Sequence, residues 1–323
     1  MRLQSLRTEL VGNEVSVMRI EWMIAAVVMA LVGCGAKTVS DAASTAPPAT
    51  TGPSDATRAF ADLKKQVAFG PRTPGSPGAA ACRDWAIGEF TKALGMPAKR
   101  QDFSMVARGA RVPMTNILAH YNPTAKRQIM LCAHWDSRPS ADMEISADKK
   151  RKPIPGANDG ASGVAVLIEV ARQLKTSGVN VGVQFVLFDG EDYGPGIQDM
   201  FLGAKFYAKN PVLGKPEYAI LIDMIGDKDL QIGREHNSDR AAKDINDRVF
   251  SAAAKLGIKE FIDAPGHEIM DDHLELQRIG WKAIDLIDFD YAPWHTLDDT
   301  PEQCSGESLK KVADVLLAVL KNP

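Results

Sequence analysis

The amino-acid sequence predicts an α/β protein that folds as a single three-layer α/β/α domain with a mostly parallel central sheet. Short apolar runs alternate with longer amphipathic segments, which is typical of parallel strands joined by helices on both faces of a sheet. Three of the apolar runs end in a carboxylate or a histidine, and open α/β sheets bind ligands at the carboxyl ends of their strands. Hydrophobic content of 45% and charged content of 24% are ordinary for a globular domain.

The individual elements follow from hydrophobic spacing and from residues that end an element. Phe60, Leu63 and Val67 recur at helical spacing, and Gly95 stands just past a predicted helix. The predicted elements are, in order, helix 56–67, helix 79–94, strands 100–106, 115–121 and 128–133, a helix that begins at residue 161, strands 182–188 and 219–222, helix 238–256, strand 283–287 and helix 308–320. This order indicates one catalytic domain over residues 56–323.

Residues 1–34 are typical of a secretory signal. Arg19 precedes a short apolar stretch that ends in Leu-Val-Gly followed by Cys34. A charged segment, a short apolar segment and small residues before a cleavage point describe such a signal. The last four residues resemble a bacterial lipoprotein box, which would leave Cys34 as the lipidated first residue of the mature chain. A plain signal peptide with a chance cysteine is the alternative.

Residues 35–55 are rich in Ala, Thr, Ser and Pro and have few large apolar groups. Such a segment buries too little surface to fold by itself, so we expect a flexible tether. Together with the signal, this predicts an exported cell-envelope lipoprotein, on the periplasmic side or in the outer membrane. We expect a monomer that contacts the membrane only through a lipid on Cys34.

Charge and cysteine content exclude several classes of protein. The net charge of −3 and the lack of interleaved basic and aromatic residues give no indication of nucleic-acid binding. Three cysteines follow the signal, Cys82, Cys132 and Cys304, and an odd number does not make a disulfide framework. One bridge is possible in an oxidising compartment. Cys132 stands in an apolar run and is predicted to be a small core residue.

His134 follows a predicted buried strand, and Asp136 comes two residues later. Side chains two residues apart on an extended chain point the same way. Asp136 can therefore orient His134 by accepting a hydrogen bond from the ring nitrogen that does not bind the metal, as carboxylates often do for metal-bound imidazoles. For this pair alone, a structural His–Asp hydrogen bond is the alternative.

Asp189, Glu191 and Asp192 crowd the end of the predicted strand 182–188. Carboxylates packed this closely need a cation or a raised pKa to coexist. A metal ion on Asp192 would satisfy this requirement and leave Glu191 free as a general base. A solvated acidic loop is the weaker alternative, because the preceding strand is so apolar.

The remaining polar patches complete a metal-binding pattern. Asp159 lies in an Asn-Asp-Gly sequence before a predicted helix, where it could be a ligand or a helix N-cap. Asp223 ends an apolar stretch and needs a partner, and His295 directly follows Trp294. Zinc binds histidine nitrogens and carboxylate oxygens, and a catalytic zinc keeps one position open. The patches together therefore predict a zinc enzyme.

Taken in order, the patches resemble a known family. His-x-Asp, Asn-Asp-Gly, an acidic pair, Asp-Met and a late histidine describe the zinc aminopeptidase and glutaminyl cyclase superfamily, which is peptidase family M28-like. The resemblance covers about residues 69–320, and it implies the three-layer fold of the zinc exopeptidases.

The two branches of this superfamily imply different ligand sets. In the cyclases, which work with one zinc, the matching ligands are Asp159, Asp192 and His295. Glu191 would then be the base, with Asp223 and Asp271 in its hydrogen-bond network. In the aminopeptidases, which bind two zincs, the matching ligands also include His134 and Asp223, and Asp159 bridges the metals.

Several residues resemble the cyclase branch more closely. Trp294 directly precedes the late histidine, and an Asp-Asp-His segment begins at Asp271. Three departures concern substrate preference: Asp192 stands in place of Glu, Asp285 stands where a histidine is expected, and the short loop after Asp192 lacks a tryptophan.

The resemblance implies a glutaminyl-peptide cyclotransferase that converts N-terminal Gln of peptides to pyroglutamate and releases ammonia. Zinc would act as a Lewis acid on the side-chain amide, Glu191 would transfer the proton, and Trp294 would pack against the substrate. The alternative is a di-zinc metalloaminopeptidase, in which water attacks the first peptide bond. A metal-free binding lipoprotein is a weak third hypothesis, because every patch retains its metal-binding residue types.

Overall fold

The computed structural model describes residues 54–323. The predicted signal, the lipid site at Cys34 and the predicted tether up to residue 53 lie outside the described residues and stay predictions. Asp55 begins the described fold, because its side chain accepts a hydrogen bond from the backbone N–H of Arg58 at the start of the first helix. Within residues 54–323, no helix combines the length and apolar character that a membrane crossing requires.

The structure contains eight helices and eight strands in the described residues, besides two short 3-10 turns. The helices are α1 (Ala56–Val67), α2 (Pro77–Leu94), α3 (Ala147–Lys150), α4 (Ala161–Ser177), α5 (Leu202–Lys209), α6 (His236–Leu256), α7 (Asp272–Arg278) and α8 (Gly306–Lys321). The strands are β1 (Lys99–Ala107), β2 (Ala110–Tyr121), β3 (Gln128–His134), β4 (Gly182–Phe188), β5 (Tyr218–Asp223), β6 (Ile232–Arg234), β7 (Phe261–Pro265) and β8 (Ala283–Ile287).

Six strands form the central sheet, in the order β1-β2-β4-β3-β5-β8. The four strands β4, β3, β5 and β8 run parallel to one another, whereas β2 pairs antiparallel with both β1 and β4. The antiparallel edge arises because β1 and β2 are joined directly at Arg108 and Gly109, whose positive φ angles of 51° and 75° suit a tight hairpin. The predicted mostly parallel sheet is confirmed, with this hairpin as an edge.

Helices cover both faces of the sheet, which confirms the predicted three-layer fold. Along β3, Ile129 and Leu131 belong to the large core cluster that includes residues of α1, α2, α4, α6 and α8. The alternating residues Met130 and Cys132 belong to a second cluster with residues of α5 and α7. Strands buried on both faces have the nearly continuous apolar runs that the sequence shows.

Cysteine chemistry does not contribute to this fold. Cys82, Cys132 and Cys304 are all buried and unbridged. Cys132 is a core residue of β3, as predicted, and the disulfide that the sequence left open does not form among these three. The stability of the described residues therefore depends on packing and hydrogen bonds.

Five elements were not predicted: the helices α3, α5 and α7, and the strands β6 and β7, which pair in parallel with each other beside the main sheet. The more important result is the alignment of the predicted strands. Because β3, β4 and β5 run parallel and adjacent, their carboxyl ends lie at one edge of the sheet. His134, Asp189 and Asp223 mark those ends, and the candidate site is built there.

Candidate active site

His134 lies at the centre of the first group of polar side chains. Its Nε2 atom is 3.2 Å from Oδ1 of Asp159 and 3.1 Å from Oδ1 of Asp223. All three residues are buried. Burial opposes a charge on the His134 imidazole, but the carboxylates of Asp223, Asp136 and Asp159 together outweigh this effect, and the pKa of His134 is raised well above its ordinary value.

His295 lies at the centre of a second group that shares Asp159 with the first. The Nε2 atom of His295 is 3.6 Å from Oδ2 of Asp159 and 3.4 Å from Oδ1 of Asp192. Burial opposes protonation of His295 and the Asp192 carboxylate favours it, so that its pKa rises to about 9. The structure thus brings together the three residues predicted as ligands of a single zinc.

Two sets of donor atoms fit a metal ion. Asp159, Asp192 and His295 form one set and His134, Asp159 and Glu191 the other, each with ligand atoms within 4.8 Å of one another. The Oδ2 atom of Asp192 and the Nδ1 atom of His134 are buried without a hydrogen-bond partner. The nearby carboxylates raise the pKa of both imidazoles and so favour their protonated forms. A metal ion would displace these protons on binding. Nitrogen and carboxylate oxygen donors suit zinc in particular.

The loop that carries Asp159 is held from the far end of the chain. Asp299 accepts hydrogen bonds from the backbone N–H groups of Asn158, at 2.8 Å, and Asp159, at 3.3 Å. Tyr291 donates its hydroxyl to the same carboxylate at 2.8 Å. The helix-cap alternative for Asp159 is wrong, because Gly160 occupies the N-cap position of α4 and no side chain caps it.

Gly160 is required by the approach of His134. A Cβ atom at this position would lie 2.5 Å from Cε1 and Nε2 of the imidazole. We expect Gly160→Ala to reduce the free energy of unfolding by about 1–3 kcal/mol through overpacking, as measured by urea denaturation. Gly88→Ala in α2 is the matched control, since its Cβ would meet nothing within 4 Å. Equal stability of the two variants would contradict the close packing around His134.

Asp136 has a second role that the sequence did not reveal. Its Oδ1 atom lies 3.5 Å from Nδ1 of His134, compatible with the predicted orienting role. The same carboxylate also accepts hydrogen bonds from the backbone N–H groups of Glu191, at 3.1 Å, and Asp192, at 3.3 Å. Asp136 therefore fixes the turn that presents the acidic pair to the site.

Glu191 is placed as an acid–base group. It is 6% exposed, and one of its carboxylate oxygens is 3.7 Å from Nδ1 of His134. Burial raises the pKa of Glu191 well above its ordinary value; the His134 charge opposes this, while the Asp192 carboxylate adds to it. A carboxyl group with a raised pKa can both take and return a proton near neutral pH.

An ion pair between Arg138 and Asp142, which the sequence did not predict, supports the ligand residues. Arg138 donates hydrogen bonds to Asp192 and to both oxygens of Asp142. Asp142 in turn lies 3.4 Å from Nδ1 of His295. Its carboxylate can hold the ring while the opposite nitrogen faces Asp159 and Asp192. The only signal in the sequence is the position of Arg138 shortly after the His134 patch.

A small pocket of about 50 Å³ adjoins the ligand residues. Trp294 forms one wall, with its ring stacked on His295 at 3.8 Å between centroids, and Phe289 packs against Trp294 at 5.1 Å. Asp271 also lines the pocket; it caps α7, and its Oδ2 atom is buried without a partner. Every residue predicted as catalytic or substrate-binding thus lines one cavity: Glu191, Asp223, Asp271 and Trp294.

Behind the pocket lies a buried polar cluster that the sequence did not predict. His273 stands between two carboxylates, with Nδ1 3.8 Å from Oδ2 of Asp285 and Nε2 3.4 Å from Oε2 of Glu235. Burial raises the pKa of Asp285 well above its ordinary value, and the Asp271 charge adds to this. Asp285, where cyclases were expected to carry histidine, is therefore placed against an imidazole supplied by α7.

A buried set of imidazoles and carboxylates at the carboxyl edge of a parallel sheet, with a glutamate poised for proton transfer, defines an α/β metalloenzyme. The chain belongs to peptidase family M28, whose family model matches residues 116–320. The resemblance found in the sequence is thereby confirmed.

Known relatives include both cyclases and exopeptidases. A Zn-dependent exopeptidase from Parabacteroides distasonis is 36% identical, with a TM-score of 0.81, over 83% of this chain and 98% of that chain. A glutaminyl cyclase from Bacteroides thetaiotaomicron is 36% identical, with a TM-score of 0.80, over the same shares of 83% and 98%. The glutaminyl-peptide cyclotransferase of Bos taurus is 24% identical over 298 residues, 76% of each chain. This chain is an enzyme of the same superfamily.

Proposed function

We propose that this protein is a zinc-dependent glutaminyl-peptide cyclotransferase, which converts the N-terminal Gln of a peptide to pyroglutamate and releases ammonia. The observation that carries the proposal is the small pocket between Glu191 and Trp294. Its walls include Met224, Ile269 and Phe289, so it suits one short side chain with a thin apolar stem. A cyclase must hold one particular side chain folded back on its own amine, whereas a broad aminopeptidase needs room for many.

One zinc ion is proposed, held by Asp159, Asp192 and His295. When bound, zinc supplies Lewis-acid polarisation of the substrate's side-chain amide carbonyl. The Bos taurus and Bacteroides thetaiotaomicron relatives, named as cyclases, support this assignment. The Arg138 contact with Asp192 and the Asp142 contact with His295 keep these two ligands in place without occupying the pocket.

Glu191 moves the proton in this scheme. It takes a proton from the N-terminal amine, whose nitrogen attacks the amide carbon of the Gln side chain. A bond forms between that nitrogen and carbon, and the bond from carbon to the amide nitrogen breaks. Glu191 returns the proton to the departing nitrogen, which leaves as ammonia. Burial, with a contribution from Asp192 and Asp271, raises the pKa of Glu191, which favours its protonated form between the two steps.

A metalloaminopeptidase is the second candidate, and the contacts of His134 favour it. His134 and Asp223 approach each other at 3.1 Å beside Asp159, so these residues offer donors for a second metal ion. Glu191 would then take a proton from the water that attacks the first peptide bond. The Parabacteroides distasonis relative, named as an exopeptidase, supports this alternative.

One assay separates the two reactions. Purified protein supplied with zinc is incubated with a Gln-initiated peptide, and ammonia and free amino acid are followed together. Ammonia with a pyroglutamyl peptide supports the cyclase. Free N-terminal amino acid without ammonia refutes the cyclase and supports the aminopeptidase. An Ala-initiated peptide is the control, since only the aminopeptidase can act on it.

A further inference from the structure

A second pocket opens beside the active-site pocket and shares two walls with it. Ile287 and Phe289 line both cavities. The second pocket, of about 230 Å³, is larger than the active-site pocket of about 50 Å³. The two pockets are therefore adjacent along the side chains of Ile287 and Phe289.

A row of aromatic rings runs from the active-site pocket to the second pocket. The Phe289 ring lies 5.1 Å from the Trp294 ring on one side and 5.6 Å from the His267 ring on the other. Trp294 belongs to the active-site pocket and His267 to the second pocket. A peptide whose first side chain packs on Trp294 would pass Phe289 and present its next residue to His267.

The charged groups around the second pocket are acidic. Glu235 is 2% exposed, and its carboxylate accepts hydrogen bonds from the backbone N–H groups of Asn237 and Ile269. Burial opposes ionisation of Glu235, but its hydrogen bonds outweigh this and lower its pKa to about 2. Asp290 is exposed at the rim, 3.1 Å from Nε2 of His267. The lining residues within the described chain include no lysine or arginine.

We propose that this second pocket binds the residue that follows the N-terminal Gln, and that Asp290 makes the enzyme prefer Lys or Arg there over Asp or Glu. The inference rests on the proposed cyclase function and adds its peptide specificity. Asp290 supplies the accessible charge, since the Glu235 carboxylate is buried and already occupied by hydrogen bonds. Asp290 is thus a specificity-determining residue, outside the groups that transfer the proton.

The test compares kcat/KM for ammonia release from three peptides that differ only in the second residue: Lys, Ala or Glu. For the wild-type protein at low salt, we expect kcat/KM for the Lys peptide to be about fivefold higher than for the Glu peptide. This is the effect expected of one solvent-exposed ion pair. The ratio should shrink in high salt, because exposed charges are screened. Asp290→Asn should bring the ratio close to one, and Asp290→Lys should invert it.

Glu268→Gln is the matched control. Glu268 is an exposed acid in the same region, it pairs with Arg240, and it does not line the pocket. This variant should keep the wild-type ratio. If Glu268→Gln lowers the ratio as much as Asp290→Asn, the preference is a general charge effect and the inference is overturned.

The possible outcomes distinguish failure of the specificity proposal from failure of the cyclase proposal. If no Gln peptide releases ammonia, the cyclase proposal fails and the specificity proposal fails with it. If all three peptides release ammonia with equal kcat/KM, the cyclase stands and Asp290 has no role in selection. If ammonia is released with the expected order and Asp290→Lys reverses that order, both proposals are supported.

Discussion

Glu191→Gln should lower kcat/KM for a Gln-initiated peptide by about a hundredfold or more, while the protein keeps its zinc. The amide has the size of the carboxyl group but cannot take the amine proton. Glu191 is buried beside the pocket, and its backbone N–H is held by Asp136. The substitution should therefore leave the turn in place. Steady-state ammonia release and zinc content measured on the same sample check this expectation.

Glu302→Gln is the control for this experiment. Glu302 is an exposed acid in a 3-10 turn away from the pocket, and its loss should change neither quantity. Retention of wild-type turnover in Glu191→Gln would remove Glu191 from proton transfer. A simultaneous loss of zinc would instead assign Glu191 to the donor set that it forms with His134 and Asp159.

Replacement of the two central histidines should have very different effects. His295→Ala removes a ligand of the proposed single zinc, and we expect zinc affinity to fall by about a hundredfold or more, with loss of turnover. His134→Ala should retain one zinc per chain and a measurable part of the ammonia-releasing activity. Zinc titration and metal analysis of each purified variant give the affinity and the stoichiometry.

His120→Ala serves as a control for histidine loss. His120 forms a hydrogen bond with Gln128 at the start of β3, the end of the strand away from the site, and its replacement should leave zinc content at the wild-type level. Two zincs in the wild type with one lost in His134→Ala would contradict a single-zinc cyclase. That result would favour the aminopeptidase, in which His134 and Asp223 bind the second metal.

The fold was predictable because its central strands are buried on both faces. Strands β4 and β8 were predicted with their observed bounds, since an uninterrupted apolar run has clear ends. The short helices α5 and α7 have too few turns to show a hydrophobic period. The strand β7 is exposed at all but its first residue, so it lacks the apolar pattern of a strand.

The site residues were predictable where they stand at the carboxyl ends of the buried strands. His134, Asp223 and the Glu191 turn stand at the ends of β3, β5 and β4, so topology alone brings them together. The supporting residues Arg138 and Asp299 were missed because they act through contacts between distant segments. Asp299, for example, bonds with the backbone of a residue 141 positions earlier, and no local pattern in the sequence indicates that pair.

The hydrogen bonds of Asp299 also set an order of events during synthesis of the chain. Asn158 and Asp159 leave the ribosome long before Asp299, yet their loop is fastened by that late carboxylate. His295, needed for the same metal centre, also comes from this last part of the chain. A nascent chain therefore carries an incomplete centre until residues 295 and 299 have also been made. Closing so long a loop also costs conformational entropy that only the rest of the folded domain can offset.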